Sequence, residues 1–473
     1  MAKVYLVGAG CGNLDLYTQK AIQCLTMADC VVYDSLVDQA ILDLCKDGCQ
    51  KIYVGKRAGN HALKQDEINQ LLVDLTLQFE TIVRLKGGDV YVFGRGGEEG
   101  MTLTKAGINF EVVPGVSSVT GGLAYAGIPI THRGLSSGFQ VYTARLANQS
   151  APLDFHHMLC DDYTYVFLMG MAELDDIVSG FLSAGKNPAT PIAVVSHASL
   201  PRQQTLVGTL ADICEKAAKA SLPTPGLIVV GAVVQMRPYL NFFEQKPLFG
   251  KRVLITTVGK DHTLYEKIRE LGAEVDEVMT GEIHYLPCDL PSELIGDLIF
   301  TSRHGVEGFM RQFFKQYHDV RALHQTRLIC IGEKTNQALR SYGLIADVLP
   351  EKADSDDLNR LLNAEIKGKR YVFKGQMAEA VSGDENIVVY ENRPTNLPSQ
   401  PEIYDFGLFT CASSVRRFKE ANASSIRVFV SIGAHTSRAI RMCYGEKAVI
   451  IEAVKASKEA LVEALLGGMK NVL

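Results

Sequence analysis

The sequence predicts an α/β fold throughout, and three observations carry that prediction. Apolar strand-like runs alternate with segments of helical spacing along the first half. One of these runs, Thr81-Ile-Val-Arg-Leu85, leads into a glycine-dense turn bearing both charge signs, Gly87-Gly-Asp89 and then Gly94-Arg-Gly-Gly-Glu-Glu99. The second half repeats its own strand–turn–helix pattern, as two similar lobes would. Alternation of this kind is what helices packed on largely parallel sheets require.

Residues 4–7 and 31–33 read as the first strands, and Ile68, Leu71, Leu72 and Leu75 fall on one helical face. Thr81, Ile82 and Val83 are β-branched, so a buried strand leads into Gly87 and Gly88. Without a Cβ, those glycines permit turn geometry and close approach of a ligand. A second α/β lobe begins near residues 139–143 and continues through 166–169, 192–195 and 227–230. The segment Arg237-Pro-Tyr-Leu-Asn-Phe-Phe-Glu-Gln-Lys-Pro247 breaks the pattern, and Lys251-Arg-Val-Leu-Ile-Thr-Thr257 starts it again. The expected domains are 1–240, with lobes 1–135 and 136–240, then a linker 241–249, then 250–473. In the last, one lobe takes 250–284 with 400–473 and the other takes 285–399.

The repeat is explicit. Phe300-Thr-Ser-Arg-His-Gly-Val-Glu-Gly-Phe309 parallels Phe409-Thr-Cys-Ala-Ser-Ser-Val-Arg-Arg-Phe418, and Ile331-Gly-Glu-Lys-Thr-Asn-Gln-Ala-Leu-Arg340 parallels Ile432-Gly-Ala-His-Thr-Ser-Arg-Ala-Ile-Arg441. Each is a strand, a turn with Ser or Thr, and a helix, so four helix N-termini with free N–H groups gather at strand ends. Ordinary capping explains any single turn; four in two matched lobes suit a polycarboxylate ligand.

Composition narrows the partners. With 473 residues and 47% hydrophobic content, the chain suffices for roughly two to four packed domains. A net charge of −5 gives no overall basic field, so neither nucleic acid nor anionic membrane is an expected partner. Eleven cysteines, without CxxC pairing, read as reduced and largely buried thiols. The chain opens on Met1-Ala-Lys-Val-Tyr-Leu-Val as a strand, and no run approaches the roughly 18 apolar residues of a membrane span. The expectation is a soluble, cytoplasmic protein.

Gly8-Ala-Gly-Cys-Gly12 with Asp34 admits a dinucleotide reading, but Asn13 replaces the third glycine of the fingerprint, so NAD is not indicated. The His156-His157 pair has no further ligand at metal-site spacing, so no metal is assigned.

Val7-Gly-Ala-Gly10, Val32-Tyr-Asp34, Val54-Gly-Lys-Arg57, Arg84-Leu-Lys-Gly-Gly-Asp89, Phe93-Gly-Arg-Gly-Gly-Glu-Glu99, Val113-Pro-Gly115 and Ala124-Tyr-Ala-Gly-Ile-Pro-Ile-Thr-His-Arg133 occur in this order. Together they resemble uroporphyrinogen-III C-methyltransferase over roughly residues 1–240. The resemblance implies a tetrapyrrole-methylase fold, S-adenosyl-L-methionine as methyl donor, and two methylations of uroporphyrinogen III giving precorrin-2, on the way to sirohaem or cobalamin. It implies Asp34 as proton acceptor and Lys56 as proton donor. Cys11, Gly87, Gly88, Asp89, Val92, Ser117, Ser118, Met169 and Ala198 would line the donor site, and Arg57, Arg95 and Arg133 would hold substrate carboxylates. It leaves room for a homodimer through this half. The plainer alternatives are a turn cap for Asp34, a surface charge for Lys56, helix caps for Ser117 and Ser118, and a core methionine for Met169.

Residues 250–473 are similar to uroporphyrinogen-III synthase, on the two-lobe repeat, Phe300-Thr-Ser302 and Ile432-Gly-x-x-Thr436. This implies closure of hydroxymethylbilane into uroporphyrinogen III with inversion of the last ring and no cofactor. Tyr390 would assist hydroxyl departure, with Thr301, Ser302, Thr335, Thr410, Ser413 and Thr436 in the cleft; Tyr390 reads equally well as a strand aromatic. The methyltransferase half departs from the family pattern at Cys11, Asn13-Leu14, Val90, Thr143-Ala-Arg145 and Ala198-Ser199. These changes keep open a second reading, an active synthase carrying a non-catalytic methyltransferase-like binding module.

Overall fold

The computed structural model describes residues 2–37, 39–55, 63–144, 153–259, 262–291, 294–350, 355–364, 368–376, 383–397, 403–421 and 424–472. It divides into two compact units, Met1–Lys251 with Arg269–Glu274, and Arg252–Ile268 with Val275–Leu473.

In the first unit, β1 (Lys3–Gly8), β2 (Cys30–Tyr33), β3 (Gln50–Tyr53), β4 (Thr81–Lys86) and β5 (Asn109–Val113) form a sheet of order β3-β2-β4-β1-β5. Every pairing is parallel. Such a sheet is covered on both faces, which is why its strands read as continuous apolar runs. Val7, Val31, Val83 and Leu85 fill the core on one face, and Val4, Leu6, Val32 and Ile82 fill the other. Ile68, Leu72 and Leu75 of the helix Gln65–Leu75 are buried as their spacing predicts.

The second sheet joins β6 (Gly138–Thr143), β7 (Tyr163–Leu168), β8 (Pro191–Ser196), β9 (Gln204–Thr209) and β10 (Gly226–Val230) in the order β6-β7-β10-β8-β9. It is mixed, since β10 runs antiparallel to both neighbours. The strand expected at 166–169 begins three residues earlier and ends at Leu168. Met169 has left to a left-handed φ of 55° and is exposed, so the core reading of that methionine does not hold. The stretch 241–249 packs against the first unit. Phe243 and Leu248 are buried, and Glu244 accepts hydrogen bonds from Gln203 and Thr205 and pairs with Arg237.

Among the described residues, the second unit contains one nine-stranded sheet. Its strands are β11 (Arg252–Val258), β12 (Glu274–Tyr285), β13 (Gly296–Phe300), β14 (Thr326–Cys330), β15 (Arg370–Gly375), β16 (Glu385–Pro394), β17 (Ile403–Phe409), β18 (Ser425–Ser431) and β19 (Ile450–Glu452). The order is β14-β13-β15-β16-β12-β11-β17-β18-β19. The sequence repeat maps onto it: β13 and β17 lead into the helices Arg303–Gln316 and Ala412–Ala421, and β14 and β18 into Glu333–Arg340 and Ala434–Tyr444. Equivalent phenylalanines meet edge to face in both copies, Phe300 with Phe309 at 5.4 Å and Phe409 with Phe418 at 6.2 Å between ring centres. The two lobes share a single sheet because β12 is twelve residues long and its last five pair antiparallel with β16.

Candidate active sites

The ends of β1, β2, β4 and β5 are neighbours in the parallel sheet, so the loops leaving their carboxyl ends lie side by side. That edge is where open α/β sheets bind ligands. Gly10 N–H donates to Gly88 O at 3.1 Å and Gly88 N–H to Gly10 O at 2.6 Å. A Cβ at Gly8 would stand 2.5 Å from Gly115 N and 2.7 Å from Gly88 O, so three main chains touch where only glycine fits. Asp89 locks this junction. Its carboxylate accepts N–H bonds from Gly115 (3.1 Å), Tyr91 (2.8 Å) and Val92 (3.2 Å). Gly88, at φ 71°, faces open space, which suits a ligand approaching the main chain. Val92 is exposed, and Ser117 caps a π-helical turn that starts at Ser118.

Beneath the turn lies a buried charge network. Arg84 and Lys86 are two apart on β4, hence on one face, and are 3% and 4% exposed. Glu99, from the helix Gly96–Lys105, is fully buried and receives Arg84 Nε at 3.2 Å, Lys86 Nζ at 2.7 Å and Gln65 Nε2 at 3.2 Å, all on Oε1. Its Oε2 has no hydrogen-bond partner among the described residues. Arg84 Nη2 reaches Asp34 Oδ2 at 3.2 Å, while Nη1 donates to the carbonyls of Val32 and Leu85. Two cations thus face two carboxylates, as burial demands. Burial, and then the neighbouring Arg84 charge, push the Lys86 ammonium below its ordinary pKa. Asp34 Oδ1 also accepts the N–H of Leu36, so its capping role is present too.

The second sheet contributes Met169 after β7 and Ala198 after β8, flanked by left-handed His197 and Ser199. Ser199 ties this turn to the first lobe: its Oγ accepts Asn13 N–H at 3.0 Å and donates to Cys11 O at 3.1 Å. Ala198 packs in the core with Val119 and Leu123, and burial pushes the half-buried Cys11 thiol up in pKa. Arg95 is engaged by Glu98 in a two-pronged pair at 2.8 and 2.7 Å, and Arg133 is exposed. Lys56, Arg57 and Arg145 lie outside the described residues.

In the second unit, Ser302 caps the helix Arg303–Gln316 by accepting Gly305 N–H, and the same Oγ lies 3.0 Å from the Tyr390 hydroxyl. Thr301 Oγ1 is enclosed, with no hydrogen-bond partner among the described residues. Thr410 donates to Thr256 O, and Ser413 Oγ lies 3.2 Å from Cys411 Sγ. One expectation needs correction. Glycines 332 and 433, not Ser or Thr, stand at the caps of the helices Glu333–Arg340 and Ala434–Tyr444. Thr335 and Thr436 follow inside the first turn and are 4% and 3% exposed. Among the described residues there is no cluster of metal-binding side chains and no helix long and apolar enough to cross a membrane.

The residues assigned from sequence miss part of these sites. Arg84, Lys86 and Glu99 carry the buried network, and their signal was two basic residues two apart on a strand otherwise apolar. Tyr285 and His304, hydrogen-bonded at 3.0 Å beside Tyr390, had no signal beyond their residue types.

Parallel loops around a glycine junction, followed by a repeat-built second unit, define a two-part α/β enzyme. The pattern described as Tetrapyrrole (Corrin/Porphyrin) Methylases matches residues 3–214, and that described as Uroporphyrinogen-III synthase HemD matches residues 262–384. The Porphyrin biosynthesis protein HemD of Ruminiclostridium josui is 38% identical over 366 residues, spanning 75% of this chain and 72% of that protein. The Uroporphyrinogen-III C-methyltransferase of Bacillus subtilis is 36% identical over 355 residues, spanning 73% of each. A solved structure of uroporphyrin-III C-methyl transferase from Thermus thermophilus, complexed with S-adenyl homocysteine, is 40% identical over 50% of this chain and 99% of that one, at a TM-score of 0.43. The chain belongs to the tetrapyrrole methylase family, in the form fused to uroporphyrinogen-III synthase.

Proposed function

We propose that the chain is a bifunctional tetrapyrrole enzyme whose second half closes hydroxymethylbilane to uroporphyrinogen III and whose first half methylates that product twice to precorrin-2. The observation that carries this reading is the pairing of the two family matches in one chain, since the product of one reaction is the substrate of the other.

S-adenosyl-L-methionine, when bound, supplies an already activated methyl group, so the protein's task is to position the macrocycle and move protons. Gly88, Val92, Ser117, Ser118 and Met169 would receive the donor; Asp89 would act by holding the loop in shape. Asp34 would take the proton lost from the methylated ring, with Arg84 fixing the orientation of its carboxylate. Lys56 would return a proton, and Arg57, Arg95 and Arg133 would hold substrate carboxylates. Tyr390 would protonate the hydroxyl that leaves in ring closure. The domain limits 1–240 and 250–473, a homodimer through the first half, and a cytoplasmic setting without nucleic acid or membrane belong to the same proposal. Eleven free thiols and the net charge of −5 support the setting.

Anaerobic incubation with hydroxymethylbilane and S-adenosylmethionine, followed by mass analysis, tests it. The expected product is two methyl groups heavier than uroporphyrinogen III. Unmethylated uroporphyrinogen III, with no binding of S-adenosylhomocysteine at millimolar concentration, would instead mark the first half as a non-catalytic module.

A further inference from the structure

The sheet register places Tyr285 of β12 directly opposite Tyr390 of β16. Opposed residues of an antiparallel pair project from the same face, so two phenols stand side by side. Both are met by the turn that follows β13: Ser302 Oγ is 3.0 Å from the Tyr390 hydroxyl, and His304 Nδ1 is 3.0 Å from the Tyr285 hydroxyl.

Donor chemistry sets the direction of the bond to Tyr285. Arg303 Nε can only donate, and at 3.3 Å it makes His304 Nε2 an acceptor. Burial, then the Arg303 charge, lower the His304 pKa to about 4, so the ring is neutral near pH 7 and carries its one proton on Nδ1. That proton goes to the Tyr285 oxygen. Ser302 Oγ accepts Gly305 N–H and keeps a proton of its own, and in its bond with Tyr390 either hydroxyl can donate. The Tyr285 oxygen therefore accepts a bond from the turn and its phenol proton is left free to donate outward; Tyr390 stands in the same way when Ser302 is the donor. Arg311 lies 4.2 Å from the centre of the Tyr285 ring and braces it.

We propose that Tyr285 is a second proton-donating phenol of the ring-closing site, held by His304 and acting beside Tyr390. This rests on the reading that the second half closes hydroxymethylbilane. One phenol gives its proton to the hydroxymethyl oxygen as the C–O bond breaks, releasing water and leaving an azafulvene cation; the other hydrogen-bonds the departing oxygen. Once the last ring has inverted and the macrocycle has closed, a pyrrole carbon loses a proton, which returns to the phenolate. The sum is hydroxymethylbilane giving uroporphyrinogen III and water. The N–H of His304 and the O–H of Ser302 stabilise whichever phenolate forms in between.

The test uses the full chain carrying Tyr285→Phe, Tyr390→Phe, His304→Leu or His304→Asn, with rate, isomer ratio and melting midpoint measured. Tyr285→Phe is expected to lower kcat roughly 10- to 100-fold, with a smaller change in KM and a rise in the uninverted isomer. His304→Leu should reproduce that loss, and His304→Asn, whose amide still donates, should recover most of it. Tyr285→Phe at the unsubstituted rate and isomer ratio would overturn the pairing. If Tyr285→Phe fails to fold, His304→Leu at full rate overturns it equally. Failure of the unsubstituted chain to close the bilane would sink the underlying reading, which is a different result from an indifferent Tyr285.

Discussion

Arg84 Nη2 and Asp34 Oδ2 meet at 3.2 Å, with the arginine side chain 4% exposed and the carboxylate 25% exposed. The pair bridges the buried interior of the parallel sheet and its open ligand edge. Arg84 is itself fixed from behind by Glu99, so the orientation of Asp34 depends on a charge two contacts away.

Glu99→Gln should therefore be costly. It leaves Arg84 and Lys86 buried with a single counter-charge, and breaking a buried ion pair on one side typically costs about 3–5 kcal/mol. Chemical denaturation of the full chain measures this; a midpoint unchanged from the parent would show that the network is not held by charge.

Asp34→Asn keeps the shape of the side chain but removes the base. Methylation should slow by about 10²–10⁴, the range of a positioned general base. Ring closure, followed in the same sample, should be unaffected, and equal loss of both activities would contradict the division of labour.

Gly375→Ala tests the second site by geometry alone. An added Cβ would lie 2.6 Å from Tyr390 Cζ and 2.8 Å from its hydroxyl oxygen, so the ring must shift. Overpacking of this kind costs about 1–3 kcal/mol. Uroporphyrinogen III formation is expected to fall at least about tenfold, as a lost proton donor would give, while methylation of supplied uroporphyrinogen III persists. Wild-type ring closure would detach Tyr390 from the chemistry.

The His304 imidazole gives a pH signature. Its folded pKa, about 4, lies below the ordinary 6.5, so the unfolded chain takes up the proton first as pH falls. The stability it contributes is full above about pH 6.5 and is lost as pH drops toward 4. Melting midpoints between pH 7 and 4.5 should fall more steeply for the parent than for His304→Asn, and parallel slopes would refute the assignment.

Strand runs, helical spacing and the internal repeat were legible in the sequence because period and propensity are local properties. Val4 through Val7, the helix around Ile68 and Leu72, and the paired phenylalanines 300 and 409 all sit where those signals put them. The glycine stretch after Leu85 also marked the close approach of main chains at Gly88. Three things were decided by tertiary structure alone. Asp89 turned out to clamp three backbone N–H groups. Thr335 and Thr436 went inside their helices. Tyr285 met Tyr390 only because β12 and β16, about a hundred positions apart, pair in one register. Residue type and spacing say which side chains are able to do chemistry; a one-residue slip of that register would send Tyr285 to the opposite face, and only the packed sheet fixes the choice.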